Sequence, residues 1–110
     1  MILYQSKGND ISITILAKIN PNGDLVVEGV DIGQKVKELK QSSDYEYALT
    51  IRAKDKAILM TYLQNQDNKV NSDDDLLSWL KDNYGHNQGF SELMKFCKEI
   101  EVPFESFFWP

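Results

Sequence analysis

The sequence predicts an α+β fold, an antiparallel sheet packed against three to four helices, and three observations carry that prediction. Apolar residues alternate at period two through the first half of the chain. They recur at helical spacing through the second half. The change falls inside one stretch, Tyr45 to Leu63, where Tyr45, Tyr47, Leu49 and Ile51 alternate with Glu46, Ala48, Thr50 and Arg52 before Ile58, Leu59, Tyr62 and Leu63 take up helix spacing. The first part is a central strand with one buried face. The second is a helix over about 54–64, with Asp55 near its positive N-terminus. A chain of 110 residues fits one domain, 1–110, and leaves little room for a second core.

In chain order, Ile2 to Gln5 is a short edge strand. Ile11, Ile13, Ile15, Ala17 and Ile19 then alternate with Ser12, Thr14, Leu16 and Lys18, a half-buried strand interrupted only by the apolar Leu16. In Asn20-Pro21-Asn22-Gly23-Asp24, proline fixes φ and Asn-Gly tolerates positive φ, so the chain reverses. Leu25 to Val30 returns, which makes a hairpin from about Asp10 to Asp31. Gly33 to Lys40 has Val36 and Leu39 three apart among good helix formers and predicts a short helix, closed by Gln41-Ser42-Ser43-Asp44 before the central strand.

After the helix at 54–64, the polar, aperiodic run Asn65 to Asn71 predicts an exposed loop. Ser72-Asp73-Asp74-Asp75 is a helix start, with Ser72 as cap and three carboxylates at the positive end of the dipole. Leu76, Leu77, Trp79, Leu80 and Tyr84 share one arc of that helix, and Gly85 stops it. A last helix from near Ser91 to Ile100 turns Phe90, Leu93, Met94, Cys97 and Ile100 inward, and Pro103 prevents its continuation. The tail Phe104-Glu105-Ser106-Phe107-Phe108-Trp109-Pro110 has four aromatics in seven residues and must pack on something. Either it returns as a C-terminal strand or strap over the core, or Phe107 and Trp109 stand exposed as anchors for a partner or a second copy of the chain.

Charge says more than composition. The net charge is −5, and residues 1–56 hold eight Lys and Arg against eight Asp and Glu, whereas residues 57–110 hold four against nine. The excess therefore belongs to the second half. A phosphate-backbone binder needs clustered Lys and Arg, so a nucleic-acid partner is not expected, while a basic protein partner is. Cys97 is the sole cysteine, which removes intramolecular disulfides and cysteine-rich zinc sites and suits a reduced cytoplasmic setting. Met1-Ile2-Leu3-Tyr4-Gln5 is too short an apolar run for a signal peptide, and no run of about eighteen apolar residues predicts a membrane span.

Catalytic patterns are missing. His86 and Cys97 are the only nitrogen or sulfur ligands of the usual kind, too few for a transition metal, and consecutive helical Asp73, Asp74 and Asp75 diverge by about 100° each and cannot converge on one calcium ion. No nucleophile elbow accompanies His86, and the glycines form no phosphate loop. The expectation is a non-enzyme without cofactor or metal. The alternative is a small enzyme or ligand-binding protein with a pocket between sheet and helices near Tyr84 and His86. The candidate partner-binding residues are Asp74, Asp75, Asp82, Glu92, Glu99, Glu101 and Glu105, an acidic surface on the later elements, with Trp109 as aromatic anchor.

In its size, its acidity, its leading hairpin, its Tyr45-Glu46-Tyr47 strand passing into a helix and its terminus Phe107-Phe108-Trp109-Pro110, the chain resembles small bacterial immunity proteins of contact-dependent and other polymorphic toxin systems. The likeness is one of general character over the whole chain, without a diagnostic motif. It implies a cytoplasmic protein that neutralises a cognate toxin, often a nuclease, by blocking its active-site face. It assigns no individual residue.

Overall fold

Hydrogen-bonded turn chemistry starts the sheet. In the computed structural model, which describes residues 1–8, 11–33 and 44–109, the Gly23 amide donates to the Asn20 carbonyl at 2.8 Å and the Asn20 amide to the Asp24 carbonyl at 2.9 Å. This reversal joins β2 (Ser12–Ile19) to β3 (Leu25–Ile32) in a register that runs from Ile19 opposite Leu25 to Ser12 opposite Ile32. β1 (Ile2–Lys7) pairs with the free edge of β2, and β4 (Asp44–Ile51) with that of β3. The chain then makes α1 (Ala53–Asn65), α2 (Asp73–Tyr84) and α3 (Gly89–Glu99), and β5 (Glu105–Trp109) comes back to pair with β4. The sheet is antiparallel throughout, in the order β1-β2-β3-β4-β5.

The expected α+β architecture is therefore what forms, with the tail as a fifth strand. Residues 34–40 of the helix expected at Gly33 to Lys40, and the following residues 41–43, lie outside the described residues. Two boundaries differ from expectation: Arg52 leaves the strand and becomes the residue before α1, and α3 begins at Gly89 rather than near Ser91.

Register assigns the faces. Ile15, Ala17, Leu25, Val27, Tyr47, Leu49 and Ile51 point to the helical side, where they are buried with Leu59, Leu63, Leu76, Leu80, Leu93 and Cys97. Leu16, which broke the alternation in sequence, pairs with Ile2 and Glu28 on the opposite face. The β1–β2 register shifts between Ile2 and Tyr4, and Leu3, at that irregularity, joins the core. Gly85 fits the same contact for a reason other than turn freedom. Its φ is −81°, open to any residue, but a Cβ there would lie 2.4 Å from the Lys81 carbonyl oxygen and 2.7 Å from that of Leu3. The end of α2 thus abuts the backbone of β1 with no room for a side chain.

One carboxylate fastens the two halves. Buried Asp24, at the end of the hairpin turn, accepts the Ala53 amide on Oδ1 at 2.9 Å and the Arg52 guanidinium on Oδ2 at 3.3 Å. The first amide of α1 has no carbonyl partner within its own helix, so Asp24 supplies the cap from a different element. Arg52 then reaches both carboxylate oxygens of Glu105 at 3.0 and 3.1 Å, which ties in the start of β5. The hydrogen bond from Ala53, with those from Asn22 and Arg52, holds the Asp24 carboxyl below its ordinary range against the opposing effect of burial. Asp24→Ala should lower the melting temperature by about 5 °C at pH 7, the usual effect of a lost cap in a domain of this size. Because the native carboxyl is depressed, that difference is fully present above the unfolded value near 4 and shrinks as pH falls below it, which melting curves across pH 2–7 would show.

Candidate functional site

The eight residues expected to bind a partner fall into separate groups. Asp74 and Asp82 are exposed on α2, each two residues from buried Leu76 or Leu80 and therefore on the far side of the helix from the core. Asp75 accepts the Asn71 amide at 3.0 Å, beside the helix cap in which Ser72 Oγ accepts the Asp75 amide at 3.1 Å. Asp75 and Asp82 share a shallow hollow of about 230 Å³ with Asn68, Lys69, Val70, Ser78 and Trp79, so the loop before α2 joins the acidic face. Glu99 and Glu101 are exposed at the end of α3 and in the turn after it, and Glu92 meets His86 at 2.9 Å. Glu105 and Trp109 lie elsewhere. They sit opposite Thr50 and Glu46 on the sheet face away from the helices, with Glu105 held by Arg52 and the Trp109 ring 6.3 Å from that of Phe107.

The aromatic tail is both strand and surface. β5 is an edge strand with every residue exposed, and Phe107, Phe108 and Trp109 remain 57%, 49% and 43% accessible. Main-chain pairing to β4 places the strand, and Phe108, opposite Tyr47, is the only one of these three rings to turn toward the helices.

Beside Phe108, between the sheet and α3, lies a hollow whose lining residues the sequence reading did not single out as a site. A half-open hollow of about 380 Å³ is lined by Ile13, Asp31, Tyr45, Tyr47, Asn87, Gln88, Phe90, Ser91 and Phe108. Its floor is set by period two: Leu25, Val27, Gly29 and Asp31 share the inner face of β3, opposite Ile51, Leu49, Tyr47 and Tyr45. Gly29 leaves the space in which the Tyr47 ring lies, since a Cβ there would come within 1.9 Å of that ring. The Tyr47 hydroxyl runs along the sheet and donates to Asp31 Oδ1 at 2.9 Å. Phe90, from the first turn of α3, stands edge-on to Tyr47 at 4.7 Å and to Phe108 at 6.0 Å.

This arrangement raises both acids. Burial pushes the Asp31 carboxyl above its ordinary range, with the hydrogen bond from Tyr47 opposing it in part, and burial together with Asp31 pushes the Tyr47 phenol up as well. Tyr47 is therefore a donor throughout the physiological range. Elsewhere, Tyr84, expected beside a pocket, instead packs its ring near Trp79 and Phe96 at 5.6 and 6.3 Å, where burial pushes its phenol up to about 12. His86 is exposed in the turn before α3 and does not line the hollow. Burial pushes the Cys97 thiol up to about 11, which leaves it protonated and unreactive. Among the described residues no three His, Cys, Asp or Glu side chains converge as a metal site would require, and no helix is long and apolar enough to cross a membrane.

The chain matches no protein-family model, no curated protein and no solved structure. Function is therefore read from the chemistry of these surfaces.

Two substitutions test the hollow's construction. Gly29→Ala should displace Tyr47 and cost about 1–3 kcal/mol in urea unfolding, the range for overfilling a packed site. Asp31→Asn keeps an acceptor for Tyr47 and removes the half-buried charge. For an acid whose native pKa is raised, stability is lost as pH climbs from the unfolded value toward the native one. The asparagine variant should thus melt higher than the parent at pH 7, with the gap closing below about pH 4.

Proposed function

We propose that the protein is a non-catalytic inhibitor of the immunity type, which binds a basic protein partner on the solvent side of α2 and α3 and so covers that partner's active face. The observation that carries this reading is that Asp74, Asp82, Glu99 and Glu101 are exposed and take part in no ion pair among the described residues. Residues 73–101 hold seven carboxylates against three lysines, a surplus concentrated on the helices and the turn after α3. Carboxylates left in water cost nothing to desolvate until a partner arrives, and at physiological salt their combined field extends about 8 Å, enough to guide approach. The carboxylates engaged within the chain have structural work instead: Asp24 caps α1, Glu105 holds Arg52, and Asp73 holds Lys56 at 2.7 Å.

A second reading, a small-ligand binder, is favoured by the hollow around Asp31, which has the volume and convergent polar groups of a binding pocket, though it opens near Asn87 and Gln88 rather than at Tyr84 and His86.

The test of the first reading is kinetic. With a toxin domain found in a neighbouring reading frame as partner, the triple variant Asp74→Lys, Asp82→Lys, Glu99→Lys should associate about 10- to 100-fold more slowly at low salt and show a flatter dependence on ionic strength. Association and its salt dependence both unchanged by the three reversals would remove the helical face from the binding site. Absence of protection in cells that express toxin and parent protein together would remove the inhibitor reading itself.

A further inference from the structure

We infer that the hollow framed by Asp31, Tyr45, Tyr47, Phe90 and Phe108 is a binding site for an organic cation, an alkylguanidinium or alkylammonium group. The inference rests on the hollow alone and is independent of the helical carboxylates.

Asp31 is a carboxylate on the inward side of a strand, in line with Leu25, Val27 and Gly29. Its one hydrogen bond among the described residues is the Tyr47 hydroxyl on Oδ1, and among those residues Oδ2 accepts none. No Lys, Arg or His is among the described residues lining the hollow. A carboxylate partly withdrawn from water gains from a cation beside it, and burial raises the proton affinity of Asp31.

The walls ask for the same ligand. Tyr47 and Phe90 are inclined at 65°, and Phe90 and Phe108 at 89°, so the rings turn a corner instead of stacking. Phe108, about half exposed, and Tyr45 give the hollow aromatic lining, and the negative π-face that repels a carboxylate attracts a cation. Asn87, Gln88 and Ser91 supply oxygen acceptors on the remaining side for the N–H groups that Asp31 does not reach. Anions are the wrong class despite the nearby start of α3, because about half a positive charge at a helix N-terminus faces the full negative charge of Asp31. A volume of about 380 Å³ admits a guanidinium or ammonium head with its alkyl stem.

The experiment uses the full chain and four probes: butylguanidinium, butylammonium, the neutral isostere butylurea, and Nα-acetyl-arginine methylamide. Binding is followed by the amide NMR shifts of Gly29, Asp31, Tyr47 and Ser91. Either butyl cation should shift these resonances saturably and bind at least about 10-fold more tightly than butylurea, a difference of about 1.4 kcal/mol. Asp31→Asn should abolish that preference, and Phe108→Leu, an exposed ring whose loss leaves the core intact, should weaken both cations by a few fold. The same spectra show that each variant is folded. Arginine methylamide binding like butylguanidinium identifies the source as a side chain of a polypeptide, and its exclusion identifies a free small cation. Equal affinity for butylurea and butylguanidinium, or a cation preference that survives Asp31→Asn, would overturn the inference.

Discussion

The Asp24 carboxylate holds the two halves of this fold in one frame. It stands where the first hairpin turns, and its two oxygens engage the first amide of α1 and the Arg52 guanidinium. Arg52 carries the linkage on to Glu105 at the start of β5. A turn, a helix start and a returning strand, 81 residues apart in sequence at their extremes, are thereby fixed around three charged groups. The individual ion pairs are exposed on the Arg52 side and contribute little alone. The capping bond matters more, because an unpaired amide in this partly buried position would cost the full desolvation of a donor.

From that frame follows the unequal use of the two sheet faces. The helices cover the side bearing Ile15, Val27 and Leu49, and the core they form is continuous from Leu3 to Val102. The other side has an apolar margin at Ile2, Ile32, Phe107 and Trp109, with the Lys18–Glu28 pair at 3.3 Å between the inner strands. β5 is placed by main-chain pairing rather than by burial of its side chains, which explains how three large aromatic residues can belong to a regular strand and still be accessible. Exposed aromatic area of this kind is unusual unless something else covers it.

Asp31 illustrates the tension between stability and recognition. A hydrophobic residue at this inward position would suit the core better, and the carboxylate is kept only partly compensated by Tyr47. Sites that violate local packing preference are where function concentrates, since the same desolvation that makes a partly compensated charge costly strengthens its attraction for a complementary ligand.

The sequence by itself determined the class of fold, the β2–β3 hairpin, the central strand running into a helix, and the Ser72 cap, because each depends on residues within a few positions of one another: alternation, turn chemistry, or a side chain reaching its neighbour's amide. It also held an unread signal, since Asp31 continues the inward series of Leu25, Val27 and Gly29 at period two. What lay beyond it was every relation across long separations: Asp24 with Ala53, Gly29 making room for Tyr47, Leu3 against Gly85, and Phe108 meeting Phe90. The acidic positions show the same division. Helix spacing already put Asp74, Asp82 and Glu99 on the outer sides of their helices, but only packing turned Glu105 and Trp109 to the sheet face away from those helices. Periodicity fixes which side of its own element a residue occupies, whereas the neighbour on that side is chosen by how the elements fold together.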